Sequence, residues 1–253
     1  VMGTSHHESM TRAQSELHRS PDDPTTGGAW NYVTNAGNLR AFWRGGIERM
    51  MSKGDGDAYE SLVTIGERGD GDEPMAEGTA IELLETIVAD QRRIIEEVTG
   101  QPASRTPQVW ALHKEVQDYH DRGMTVPDDV TLLFADDNWG QIRRLPEKYL
   151  DRAGGFGVYY HFDYVGGPRN YKWLNTVQIG KVWQQMNLAY ARGARNVWIV
   201  NVGDIKPMEF PLDFFLRMAW NPEAMTPTAL PAFPSAWAEQ VAGAAAAALI
   251  GDL

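Results

Sequence analysis

One pattern constrains this chain more than any other: six times a short run of apolar and β-branched residues stops abruptly at polar or charged ones, over 1–8, 62–73, 109–115, 130–138, 156–164 and 197–204. Runs of this kind suit strands buried on both faces, as a parallel sheet requires. Amphipathic helix candidates lie between them. Over 79–98, Ile81, Leu84, Ile87, Val88, Ile94, Ile95 and Val98 approximate one face and Gly100 stops the pattern. Further candidates span 177–192, ended by Gly193, and 115–122, ended by Gly123. Strands alternating with helices imply a parallel α/β sheet. Because functional-looking residues stand at the end of every run, a barrel fits better than an open sheet, whose ligands gather at one crevice. The expected fold class is therefore an incomplete (β/α)8 TIM-type barrel of about six βα units, the first two lying upstream of Val1. A first residue other than Met agrees with such an internal start.

Beyond Asp204, prolines at 207, 211, 222, 227, 231 and 234 interrupt the chain before an alanine-rich helix expected over 235–249. The expected organisation is a catalytic barrel portion at 1–221, then a Pro-rich linker and the start of a helical domain at 222–253. The stretch 20–28, with two prolines and two glycines, reads as a surface loop. Composition narrows the partners. With 34 acidic against 23 basic residues the formal charge is −11, which would repel phosphate, so a nucleic-acid partner is excluded. The chain has no Cys, hence no disulfide, thiolate nucleophile or Cys-ligated zinc. No run approaches the ~18 apolar residues that would cross a membrane.

The strand ends collect His6, His7 and Glu8; Arg68, Asp70, Asp72 and Glu73; His113, Lys114 and Glu115; Asp136, Asp137 and Asn138; His161, Asp163 and Tyr164; and Asn201 and Asp204. Such convergence of ionisable groups is what a catalytic pocket needs. Two carboxylates across a sugar serve as general acid and base, and Asp72 and Glu115, following consecutive strands, are placed to face each other. Taken singly, each acid is explained as well by a helix cap or loop ion pair, and Asp70-Gly71-Asp72 equally by a turn. His6, His7, His161 and Asp204 offer an alternative, a metal-dependent hydrolase, although His-x-His and His-Glu-x-x-His spacings are missing. Trp139, Tyr159, Tyr160, Tyr164, Tyr171 and Trp173 cluster after strands, where aromatic faces suit sugar rings and core packing alike. A non-catalytic carbohydrate-binding domain is a third reading, and the crowd of strand-end acids argues against it.

The blocks MGTSHHE (2–8), RGDGDEPM (68–75), DDNWG (136–140), IRRLP (142–146), YYHFDYVGGPRNY (159–171) and WIVNVGDIKPMEFP (198–211) resemble family 115 of the glycoside hydrolases, the xylan α-1,2-glucuronidases. That resemblance implies a larger multidomain enzyme whose central (β/α)8 barrel removes glucuronic acid or its 4-O-methyl ether from xylan with inversion. Carried over block by block, the catalytic carboxylates fall on Asp72 and Glu115, acid and base unassigned, and pocket residues on His6 or His7, Arg68, Asn138, Tyr164 and Asn201. A guanidinium such as Arg68 can bind a uronate carboxylate bidentately, while Asn138, Asn201 and Tyr164 can bond sugar hydroxyls. The resemblance further implies no cofactor or metal, glucuronoxylan or its oligosaccharides as substrate, a secreted or periplasmic location, and admits a homodimer of the full-length enzyme. Two positions depart from the family pattern. His113 stands where Tyr is expected, beside Glu115 and able to alter that carboxyl's pKa. Glu67 stands where an apolar residue is expected, placed to pair with Arg68 and weaken its hold on substrate.

Overall fold

The computed structural model describes residues 3–52, 60–72 and 80–251, side chains at 72, 246, 248, 250 and 251 excepted. Among the described residues five strands form one sheet in chain order: β1 (Val63–Thr64), β2 (Gln108–Leu112), β3 (Thr131–Ala135), β4 (Phe156–His161) and β5 (Ala194–Asn201). β1 and β2 run parallel, with Val63 opposite Gln108, and β2 and β3 likewise, with Val109 opposite Thr131 through Leu112 opposite Phe134. A sheet in chain order has no reversal of strand order, so it lacks the switch-point crevice of a doubly wound sheet and has the winding that β/α barrels use. The helices are α1 (Gln14–His18), α2 (Tyr32–Met51), α3 (Ile81–Thr99), α4 (Glu115–Asp121), α5 (Ile179–Ala191), α6 (Glu209–Trp220), α7 (Phe233–Ala242) and α8 (Ala244–Gly251). Helices follow β1, β2, β4 and β5. Among the described residues β3 has none, and 136–155 run through turns to β4.

Three expectations need correction. The run at 1–8 is not a strand among its described residues. Val1 and Met2 lie outside them, and 3–8 close a turn in which Thr4 Oγ1 donates to the Glu8 carbonyl and Glu8 N–H to that of Ser5, local bonds that compete with a ladder. Among its described residues the run at 62–73 yields only two strand residues. Gly66 turns left-handed (φ +87°), and a Cβ there would sit 2.2 Å from the indole nitrogen of Trp110, so only glycine fits. The tail helix expected over 235–249 is instead two, α7 and α8, divided at Gly243 with φ +79°. Three helices, α1, α2 and α6, were not expected. Asn31 caps α2 by accepting from the amides of Val33 and Thr34, and Leu39, Phe42, Trp43 and Ile47 form its buried stripe. In α6, Pro211 lies in the first turn, where its missing amide costs nothing, and Phe214, Phe215 and Met218 are buried.

The chain divides into two compact units, Val1–Phe134 with Tyr149–Phe156, and Ala135–Lys148 with Gly157–Leu253. In the first, α2 packs on α3, whose Leu84, Ile87, Val88, Ile94 and Ile95 are buried, each worth about 1.5–3 kcal/mol of transfer free energy. Tyr32 and Trp43 stack with ring centroids 5.5 Å apart, and Asp90 accepts from the Tyr32 hydroxyl and from Arg40. In the second, Phe162 packs edge-on to Phe215 of α6 at 5.9 Å, and Val182 and Met186 of α5 are buried. Strand alternation sends Tyr160 and Phe162 to one face of β4 and Tyr159 and His161 to the other.

Candidate active site

In the first unit the end of β1 is clamped by Gln91 of α3. Its amide accepts from Gly66 N–H at 2.8 Å and donates to the Gly66 carbonyl at 3.1 Å, and the Ser9 hydroxyl donates to the same carbonyl. That clamp fixes the next two residues, Glu67 and Arg68, both buried. Arg68 Nε and Nη2 each donate at 2.8 Å to Glu115, one to Oε1 and one to Oε2, a bidentate fork across the ends of β1 and β2. Glu67 Oε1 accepts from the Arg68 main-chain N–H at 2.9 Å and from the Trp30 indole at 3.0 Å. The sequence pointed to Glu67 as the partner of Arg68, and the structure adds Glu115 as the acceptor of its guanidinium fork. Glu115 opens α4 after Lys114, whose φ of 49° and ψ of −122° cost a residue with a Cβ of order 1–3 kcal/mol.

His113, at the end of β2, is buried, and its ring meets that of His6 with centroids 4.6 Å apart. His6 in turn lies 4.9 Å from His7, and the Ser5 hydroxyl stands 3.4 and 3.3 Å from their Nδ1 atoms. The structure thus brings His6, His7 and His113 together, and Arg68 with Glu115. Asp72 ends the short 3-10 turn Asp70–Asp72 around Gly71, and its side chain, like Glu73, lies outside the described residues. Gln14 fastens that turn, donating to the Gly69 carbonyl at 3.2 Å and accepting from Gly71 N–H at 3.1 Å. Asp70 pairs with His18 at 3.2 Å, the loop ion pair that is one ordinary use of such an acid.

In the second unit Asp136, just past β3, receives Nδ1 of His161, at the end of β4, at 2.6 Å on Oδ1, and the His161 main-chain N–H at 3.3 Å on Oδ2. Both side chains are almost wholly buried. Burial pushes the Asp136 carboxyl up to about 6, against the hydrogen bond and charge of His161, which pull it down. Burial likewise raises the phenols of Tyr160 and Tyr171. The His161 ring lies between those of Tyr159 and Tyr164, each with its centroid 4.4 Å away. Asn201 Nδ2 donates to the Tyr159 hydroxyl at 3.4 Å. Of two expected pocket residues, Tyr164 therefore meets the His161 ring directly and Asn201 reaches it through Tyr159. Asn138, expected to bond a sugar, directs Nδ2 to the carbonyls of Gly166, Gly167 and Arg169 at 3.2, 3.2 and 2.8 Å. Asp137 is a turn residue, accepting from the amides of Trp139 and Gln141. Asp163 accepts from Trp173 N–H at 3.2 Å, and Asp204 is exposed.

Among the described residues no three His, Cys, Asp or Glu side chains gather as a metal site would require, so the reading built on His6, His7, His161 and Asp204 finds no donor set. What sequence reasoning missed is the Asp136–His161 pair and the two glutamine clamps. Both partners of the pair are strand-end residues in the sequence, but nothing local marks them as partners across 25 positions.

The model of the family described as glycosyl hydrolase family 115 matches residues 1–253. No curated protein matches the chain. Among solved structures it is similar to a family GH115 4-O-methyl-alpha-glucuronidase, BtGH115A, with specificity for decorated arabinogalactans, at 33% sequence identity and a TM-score of 0.83. The likeness covers 99% of this chain and 32% of that one, so the chain spans about a third of that enzyme's length. With the family model matching from end to end and a solved member one-third identical in sequence and alike in fold over nearly the whole chain, the chain belongs to glycosyl hydrolase family 115.

Proposed function

We propose that this chain carries the catalytic residues of an α-glucuronidase that releases D-glucuronic acid, or its 4-O-methyl ether, from α-1,2-linked side chains of xylan with inversion of configuration. Family membership and the likeness to a 4-O-methyl-alpha-glucuronidase support this reading. The observation that carries it to particular residues is the fork of Arg68 on Glu115. A guanidinium at a strand end is the group that a uronate carboxylate seeks, and a carboxylate beside it is the group that proton transfer to a glycosidic oxygen or from water needs.

Asp72 and Glu115 act as the general acid and base. An inverting pair admits a water between carboxyls about 6.5–9.5 Å apart, and the acid protonates the leaving oxygen while the base deprotonates that water. A uronate that takes one edge of the Arg68 fork releases Glu115 from it, coupling substrate entry to a free carboxylate. His6 or His7, Tyr164 and Asn201 bond ring hydroxyls. Asn138, its amide nitrogen directed to main-chain carbonyls, offers Oδ1 and holds the 166–169 loop in place. The polymeric substrate sets the place of action outside the cytoplasm.

The specificity of BtGH115A favours a second substrate, glucuronic acid on arabinogalactan. Both are tested by incubating the full-length protein with glucuronoxylan and with glucuronylated arabinogalactan and following the released acid by proton NMR, with and without EDTA. Release in which the β-anomer appears first, unchanged by EDTA, is expected from at least one polymer. Release of the α-anomer first would overturn inversion, loss of activity with EDTA would restore the metal reading, and no acid from either polymer would overturn the assignment.

A further inference from the structure

Within the second unit a cavity of 210 Å³ is lined by Trp139, Tyr160, His161, Arg169, Tyr171 and Lys181. Its volume falls below the ~300–1,000 Å³ of pockets for drug-sized ligands, which leaves room for about one sugar ring. Two of its lining residues are cations. In a chain with 34 acidic and 23 basic residues a cation readily finds a carboxylate, yet among the described residues neither Arg169 nor Lys181 stands in an ion pair. The Arg169 guanidinium lies over the Tyr171 ring, 5.0 Å from its centroid, and the Lys181 ammonium donates to the Trp139 carbonyl. Both charges are thereby held in place with donors to spare.

The walls are fixed as well. Asn138 holds the carbonyl of Arg169, the Tyr160 hydroxyl donates to the Gly140 carbonyl at 2.9 Å, and Asp137 holds the amide of Trp139. A site whose walls are already ordered loses little freedom when it fills. Trp139 remains 48% exposed, an aromatic face open to a ligand. A neutral sugar would desolvate the two cations with nothing to answer them, whereas a carboxylate answers both.

We propose that this cavity is a second, non-catalytic subsite that takes a carboxylate-bearing pyranose, a further uronic acid on the same polysaccharide whose side chain is being cut. The assignment rests on the catalytic reading for its substrate class. Its effect is to tether the polymer, raising the local concentration of side chains at the catalytic carboxylates.

The test is the Arg169→Ala/Lys181→Ala double variant of the full-length protein, assayed on a short xylo-oligosaccharide with one glucuronic acid and on a polymer with many. Two partly exposed charge contacts predict a KM on the polymer about fivefold higher, with kcat unchanged. On the single-uronate oligosaccharide, which has one carboxylate to offer and cannot fill both sites at once, kcat and KM stay within about twofold. A like increase in KM on both substrates would place the cations in the catalytic pocket, and no increase on either would leave the cavity without a ligand; each overturns the proposal. A wild-type protein inert on both substrates is instead the failure of the catalytic reading. The cavity is then tested alone by calorimetric titration with free glucuronate and with xylose: glucuronate binding that the double variant loses supports it, and equal binding by both proteins overturns it.

Discussion

Glu115 and Asp136 are both carboxylates at the end of a strand, each with a basic partner, and their surroundings differ. Glu115 faces a guanidinium fork and keeps a fifth of its side chain in solvent, while Asp136 and its imidazole partner are closed off at 0% and 4% exposure. A carboxylate in the first setting can be reached by a ligand and by water. One in the second setting orients its neighbours, here the rings of Tyr159 and Tyr164 on either side of His161. On the function proposed above, a carboxylate thus serves chemistry in one unit and positioning in the other, and the distinction lies in access and in the geometry of the partner.

The largest effect should break this comparison if it is wrong. Glu115→Gln is expected to lower uronate release by about 10²–10⁴-fold, the usual loss of a general acid or base. Asp136→Asn should keep kcat within about tenfold of wild type, as a group acting through others does. Equal losses in the two variants would mean that Asp136 takes part in the chemistry.

Next comes the pH dependence of stability. The Asp136 carboxyl rises in the folded protein to about 6 from an ordinary 3.8, so the native state holds its proton more tightly than the unfolded chain does. The resulting stabilisation, about 3 kcal/mol, is fully present below pH ~4 and is lost as pH rises through ~6. Urea-unfolding midpoints between pH 4 and 7 should fall over that window in the wild type and flatten in Asp136→Asn. A parallel fall in both would assign the titration elsewhere.

Arg68→Lys keeps the charge and loses the bidentate fork, which predicts about a tenfold increase in KM for uronate substrates with a smaller change in kcat. The smallest effect belongs to His113→Tyr, which restores the residue expected from the family pattern. Its ring contact with His6 predicts a change in kcat/KM of about two- to fivefold, and a larger one would make His113 part of the pocket proper.

Legibility in the sequence followed the range of the interaction responsible. β2, β3, β4 and α3 lie where unbroken apolar runs and a stripe ended by Gly100 place them, because pattern and cap are local. α2 escaped notice because Gly37, Gly45 and Gly46 argue against a helix, and only its burial against α3 outweighs them. The first three residues of β5, Ala194, Arg195 and Asn196, lie outside its apolar run, so the strand begins before the pattern does. For the candidate site, residue types and strand-end placement were readable, and the family blocks supplied the roles. The pairings were not: that Arg68 meets Glu115 and Asp136 meets His161 depends on contacts 47 and 25 positions apart.

Gln91 on Gly66 and Gln14 on Gly69 and Gly71 contribute two neutral amide clamps to the frame around Arg68 and the Asp70–Asp72 turn, beside the Glu67 carboxylate and the Asp70–His18 pair. An amide carries no proton that comes or goes in the range where enzymes work. These two clamps are for that reason indifferent to acidity. Within the first unit, a curve of turnover against pH would record the carboxylates and imidazoles around Arg68, with no contribution from the two glutamine clamps.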